Sequence, residues 1–167
     1  MMVAPKGTND FDAFFRAEYP KLVAISYGLT ASYETGCELA QETLLRCHRS
    51  WAKVAEMDAP GAWARRVVIN LATDVHRIGR RARRTPDWVR EDRTSTLADP
   101  VVDGWWTAVS ALPDRQRAAV VLHYLEDRPL TEVAAVLGVA VGTVKATLAK
   151  ARKTLARTLV RLSLIHI

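Results

Sequence analysis

The chain has 167 residues, 49% of them hydrophobic and 7% aromatic, a balance that suits a soluble helical protein of one domain or two small ones. Its formal net charge of +6 and pI near 9.7 favour an acidic partner, of which nucleic acid is the commonest. No apolar run has the length of a signal peptide core or a membrane span, so a cytoplasmic protein without membrane insertion is expected.

Residues 1–9, with Pro5 and Gly7, read as a disordered lead-in. From Asp10 the apolar residues Phe11, Phe14, Phe15, Leu22 and Val23 recur at helical spacing. Pro20 should kink or restart that helix, and Gly28-Leu29-Thr30 should end it. A second helix is predicted over Ser32–Ala55, with Ala40, Leu44, Cys47, Trp51 and Val54 on one face. Its first half carries Glu34, Glu38, Gln41 and Glu42, and its second half Arg46, Arg49 and Lys53, a polarity that the helix dipole alone explains. Cys37 and Cys47, with nine residues between them on one helix, lie too far apart for a disulfide. They form no zinc pattern with Cys47-His48, and His76 and His123 stand alone.

Pro60, preceded by Asp58 and Ala59, suits the first turn of a third helix running to about Arg80, with Trp63, Val67, Leu71, Val75 and Ile78 as its buried stripe. Arg65, Arg66, Asn70, Asp74 and Arg77 fall on its other faces. Arg77, Arg80, Arg81, Arg83 and Arg84 make a basic cluster suited to a phosphate backbone. The apolar period is lost over 85–102, so residues 81–102 read as a basic, polar, flexible linker. Asp103 should cap the next helix, with Trp106, Val109 and Leu112 facing inward, before Pro113 interrupts it. Ala118, Val121, Leu122 and Leu125 supply the following buried stripe.

Leu130 to Arg161 reads as a helix-turn-helix. Thr131 is placed to cap a short helix with Ala134 and Leu137 inward, and Gly138 supplies the turn. The second helix starts near Val141 and repeats Val141, Val144, Leu148, Ala151, Leu155 and Leu159 at helical spacing. Its other face carries Lys145, Lys150, Arg152, Lys153, Arg157 and Arg161 with no acidic residue between them. Entering a major groove N-terminus first, such a helix puts Gly142, Thr143, Lys145 and Ala146 nearest the base edges and the later cations over the backbone.

The run Leu112-Pro113-x-Arg115-Gln116-Arg117-Ala118, with Glu126, Glu132-Val133-Ala134-x-x-Leu137-Gly138 and Val141-Gly142-Thr143-Val144-Lys145, resembles region 4 of the sigma-70 family of bacterial transcription initiation factors, in its short extracytoplasmic-function (ECF) form. Glu38-Leu39-Ala40-Gln41-Glu42-Thr43-Leu44 resembles sigma region 2.2, and Trp63-x-Arg65-Arg66-Val-x-x-Asn70-Leu71-Ala72-x-Asp74 resembles regions 2.3 and 2.4. The resemblance implies an all-α protein of two small helical domains joined by a flexible linker. Residues 10–80 would bind core RNA polymerase and the −10 element, and 103–161 would read the −35 element. It assigns Glu38, Gln41 and Glu42 to the polymerase clamp. Arg65, Arg66, Asn70 and Asp74 go to the opened −10 strand, where flipped bases and phosphates must be held; Arg77, Arg80 and Arg81 join them from the basic cluster, since residues 78–104 show no extended family signature. Gly142, Thr143, Lys145, Ala146, Lys150, Arg152 and Lys153 go to −35 DNA. Promoter DNA and core polymerase are the implied partners, and the resemblance also admits an anti-sigma factor.

Two positions depart from the family pattern: Ala140 stands where a capping serine is common, and Ala146 where a serine follows the lysine. Residues 162–167 follow the basic helix abruptly and resemble a translated library-adapter sequence, so they are expected to be a non-native tail. No nucleophile–base pair, metal constellation or Gly-rich phosphate loop points to an enzyme or a cofactor. The rival readings are a free-standing helix-turn-helix regulator that binds duplex DNA as a dimer, and a recombinase or nuclease; only the first has its parts present.

Overall fold

A computed structural model describes residues 8–82 and 100–165, and every described element is helical. The lead-in at 1–7, most of the predicted linker at 83–99 and the last two residues, 166–167, lie outside the described residues.

The first helix, α1 (Thr8–Thr30), passes through Pro20 without a break. The expected interruption does not occur because Pro20 and Arg16, whose carbonyl loses its amide partner, are both exposed and water can take the bond. Leu22, Ile25 and Leu29 are buried along its C-terminal half. The helix ends at Ala31, which takes a left-handed φ of 55°, rather than at Gly28, which is helical. Ser32 then caps α2 (Tyr33–Arg49) by accepting a bond from the Thr35 amide. The second predicted helix is in fact two: Ser50 leaves helical geometry, and a single turn, α3 (Trp51–Val54), follows. Ala40, Leu44, Cys47 and Val54 are buried as the spacing predicts.

In α4 (Pro60–Ala82) the buried stripe is Ala64, Arg65, Val68, Ile69 and Ala72. Trp63, Val67 and Leu71 are only half-buried, and Val75 and Ile78 are exposed. The core-facing side is thus turned from the predicted one because α4 packs on α1 and α2 along one flank and on the C-terminal half of the molecule along another.

The chain resumes with α5 (Pro100–Ser110), which begins at Pro100 rather than at an Asp103 cap and takes three residues from the predicted linker. Pro113 precedes α6 (Asp114–Val120), which widens into a π-helical turn at Val121–Leu125. Leu125 is exposed there instead of completing the buried stripe. The next helix, α7 (Leu130–Leu137), starts after Pro129, so Thr131 lies inside its first turn and caps nothing. The last, α8 (Val141–Ile165), buries Val144, Leu148, Ala151 and Leu155 and continues through four of the six residues read as a tail.

Helices α1, α2 and α4 form one lobe, and α5 to α8 the other. The buried side chains of both belong to one continuous cluster, because α1 packs on α5 and on the π turn, and α4 packs on α7. Gly28 marks the closest approach: a Cβ there would come within 2.9 Å of Leu125 Cδ2 and 3.1 Å of Val121 Cγ2.

Candidate nucleic-acid interface

Gly138, at φ +66°, turns α7 into α8, and the Val139 amide donates back to the Ala134 carbonyl at 3.1 Å. Gly142, Thr143, Lys145 and Ala146 then stand exposed on the first turns of α8, with Val144 between them anchored in the core. Nothing lies within 4 Å of where a Gly142 Cβ would be, so the space over that turn is open. Lys150, Arg152 and Lys153 are exposed further along, and Arg152 donates to the Tyr124 hydroxyl at 2.9 Å. All seven predicted residues share the solvent side of one helix. Tyr124, which the sequence reading did not single out, braces one of them from the π turn.

On α4, Arg66, Asn70, Asp74, Arg77 and Arg81 are all exposed, and spacings of four, four, three and four put them on one face. The Arg80 side chain lies outside the described residues. Arg65 does not belong to this face. One residue along a helix is a turn of about 100°, and Arg65 is 5% exposed beneath the opposite lobe. Its Nε donates to Glu126 Oε2 at 2.8 Å, and its Nη1 lies 3.6 Å from Glu18 Oε2. Arg66, though exposed, is also engaged: its Nη2 and Nε donate to the Ala135 and Val136 carbonyls at 2.7 and 3.1 Å. Those carbonyls end α7 and lack helical partners, so a guanidinium placed there satisfies both the bonds and the helix dipole.

The ion-pair network continues through Arg128, which reaches Glu126 at 3.4 Å and Glu132 at 3.2 Å. Burial by itself would lower the Arg128 pKa, but the hydrogen bond to Glu132 and the charge of Glu126 overcome it and raise the value. Glu18, Lys21, Arg65, Arg128 and Glu132 line a cleft of about 390 Å³ between the lobes. Glu18 Oε2 and Arg65 Nη2 are buried there without a hydrogen-bond partner. The sequence had marked Arg65 and Glu126 in two separate motifs; nothing in their spacing announced that they would meet.

Glu38 and Gln41 are exposed on α2, and Glu42 is half-buried with its carboxylate 2.8 Å from Arg46 Nε. Leu45, 43% exposed, lies beside Gln41 and Glu42 at helical spacing and gives this acidic face an apolar centre that charge patterning had hidden. His76 and His123 are tied to the backbone, Nε2 with the Leu29 carbonyl and Nδ1 with the Arg128 carbonyl. Both cysteines are free. No single helix among the described residues is long and apolar enough to cross a membrane.

Residues 14–84 match the family described as sigma-70 region 2, and residues 104–155 the family described as sigma-70, region 4. The chain is 32% identical to the RNA polymerase sigma-E factor of Streptomyces antibioticus over 85% of this chain and 80% of that one. It is also 32% identical to the ECF RNA polymerase sigma factor SigM of Mycobacterium tuberculosis, over 89% and 76%. The fold resembles that of the sigma factor RpoE of Bartonella quintana, solved with the anti-sigma factor NepR, at a TM-score of 0.67 and 22% identity over 91% of this chain and 98% of that one. CnrH, solved with the cytosolic domain of CnrY, gives 0.68 and 19% over 92% and 90%. Both regions are present, in order, on a fold like that of a solved sigma factor: the chain belongs to the sigma-70 family of RNA polymerase sigma factors, in its ECF group.

Proposed function

We propose that this transcription initiation factor divides its work between three of the surfaces described above. The acidic face of α2, through Glu38, Gln41 and Glu42 around Leu45, docks on core RNA polymerase. The first turns of α8, through Gly142, Thr143, Lys145 and Ala146, read the −35 duplex while Lys150, Arg152 and Lys153 hold phosphates. The exposed stripe of α4, with Arg66, Asn70, Asp74, Arg77 and Arg81, takes the opened −10 strand, joined by Arg80. An opened strand is held only if its bases and phosphates gain more from the protein than from the duplex, which an amide among arginines supplies. The protein acts in the cytoplasm, has no catalysis of its own and is open to control by an anti-sigma factor.

The observation that carries this reading is the open, one-sided basic helix α8 in the same chain as an exposed amide-and-arginine stripe on α4. A free-standing dimeric repressor needs the first surface and leaves the second without a use. The test is co-elution of the purified chain with bacterial core polymerase, followed by transcription from a genomic promoter library. Co-elution with new start-site-specific transcripts is expected. Salt-sensitive duplex binding with no core complex would move the protein to the free-standing class.

A further inference from the structure

Tyr124 is 48% exposed, and its hydroxyl lies against the basic face of α8. Its outward position comes from the π turn. The Glu126 amide donates five residues back, to the Val121 carbonyl at 3.1 Å, so this turn holds one residue more than an α turn. In an unbroken α-helix Leu125 would follow Val121 and Leu122 into the core; here Val121 and Leu122 are buried while Tyr124 and Leu125 face solvent. Wide turns of this kind recur at functional sites. The ring is held as well as exposed. His123 Nδ1 lies 2.8 Å from the Arg128 carbonyl, and because a carbonyl only accepts, that nitrogen carries the proton. The fixed imidazole meets the Tyr124 ring edge to face at 4.8 Å.

Arg152 Nη1 donates to the Tyr124 oxygen at 2.9 Å, so the phenol acts as acceptor and keeps its own O–H to donate. Among the described residues neither side chain makes another hydrogen bond, and Arg152 has no carboxylate partner. Arg152 follows Lys145 by seven residues, two turns of α8, which puts it about 10 Å further along the same exposed line. The face that carries Lys145 therefore ends in two adjacent donors, one neutral and one charged. We propose that Tyr124 and Arg152 form a clamp for a single phosphate of the duplex backbone, the phenol O–H and a guanidinium N–H both donating to its oxygens. This inference rests on the −35 reading of α8 above and adds to it a residue outside the helix-turn-helix. The tyrosine contributes twice. It supplies a donor, and by holding a long arginine side chain in place before DNA arrives it lowers the ordering cost of the contact. A phosphate contact carries no base information, so the clamp adds affinity evenly across sequences.

The test uses holoenzyme assembled from the whole chain and bacterial core polymerase, on promoters recovered from the genomic library, with Tyr124→Phe, Arg152→Ala and the double variant across a salt series. Tyr124→Phe keeps the ring and removes only the hydroxyl. Its thermal midpoint should stay that of the wild type while promoter binding weakens about tenfold, the scale of one hydrogen bond to a charged group. Because the phenol is neutral, the log–log salt slope should not move, whereas Arg152→Ala should flatten it by about one unit. In the Arg152→Ala background, Tyr124→Phe should cost less than about twofold further, since without the arginine the phosphate is not held against the phenol. The loss for Tyr124→Phe should be the same on promoters with different −35 sequences. Unchanged binding by Tyr124→Phe, or a loss as large without Arg152 as with it, would overturn the clamp. Loss with Lys145→Ala but none with Tyr124→Phe or Arg152→Ala would strike the clamp alone and leave α8 on the −35 element; no loss with any of the three would remove the −35 reading too. If no holoenzyme forms, the sigma reading fails, and the same series with the whole chain on a labelled mixed-sequence duplex decides the clamp by itself.

Discussion

Lys145 and Cys47 show how differently two residues on helical surfaces can be used. Lys145 is exposed on the second turn of α8, with no ion-pair partner among the described residues, beside the open space over Gly142. Replacing it with alanine should weaken promoter binding about tenfold and, if it neutralises one phosphate, flatten the salt dependence by about one unit of log–log slope. Binding titrations at several salt concentrations check this, and core association should not change. Cys47 is fully buried; burial, reinforced by the charge of Glu18, pushes its thiol up from 9.0 to about 11. Between those values the unfolded chain ionises while the folded chain keeps its proton. The thiol's contribution to stability is therefore intact below pH 9 and is lost as the pH rises towards 11. Denaturant midpoints should fall more steeply over that range for the wild type than for Cys47→Ala.

Among the elements, α8 combines strong internal packing with a weak start. Ala140 precedes Val141 and offers no side-chain acceptor, so the first amides of the helix lack the partner a serine would supply. Ala140→Ser should raise stability by about 1 kcal/mol, read as an increase in the denaturant midpoint with an unchanged slope. On α2 the acidic face includes an exposed leucine, a composition suited to a protein partner rather than to DNA. Gln41→Ala with Glu42→Ala should lower affinity for core polymerase while leaving helix content unchanged, because the Glu42–Arg46 pair is an exposed i,i+4 contact worth only about 0.3–0.5 kcal/mol. Retained co-elution of the double variant would remove this face from the polymerase interface.

At the scale of the whole molecule, two lobes of a size that is marginal alone gain stability by sharing one buried cluster. The same closure covers Arg65 and engages Arg66, two of the arginines that the sequence resemblance assigns to the −10 strand. Raising the salt weakens the exposed end of the network, Arg128 with Glu132, more than the covered Arg65–Glu126 pair, whose side chains are only 6% and 8% exposed. Added salt should therefore leave the lobes together, with an unchanged radius of gyration in scattering across a salt series.

The helix-turn-helix, the inward spacing on α8, the Gly138 turn and the exposure of every predicted −35 residue were legible in the sequence because a single amphipathic helix sorts its own faces. The family of both halves was legible for a related reason: its motifs are local runs with fixed spacing. What could not be read were properties set by a second neighbour. Helix α4 is flanked on two sides, so its buried stripe is not the one its apolar residues suggest, and an arginine lies within it. Ser50 divides a helix whose periodicity continues across it, and Pro20 stays in one because its lost bond faces water. The meeting of Arg65 with Glu126, sixty-one residues apart, depends on how the lobes dock. No local period encodes it; only the tertiary structure decides that an arginine assigned to a DNA strand is first held by the protein itself.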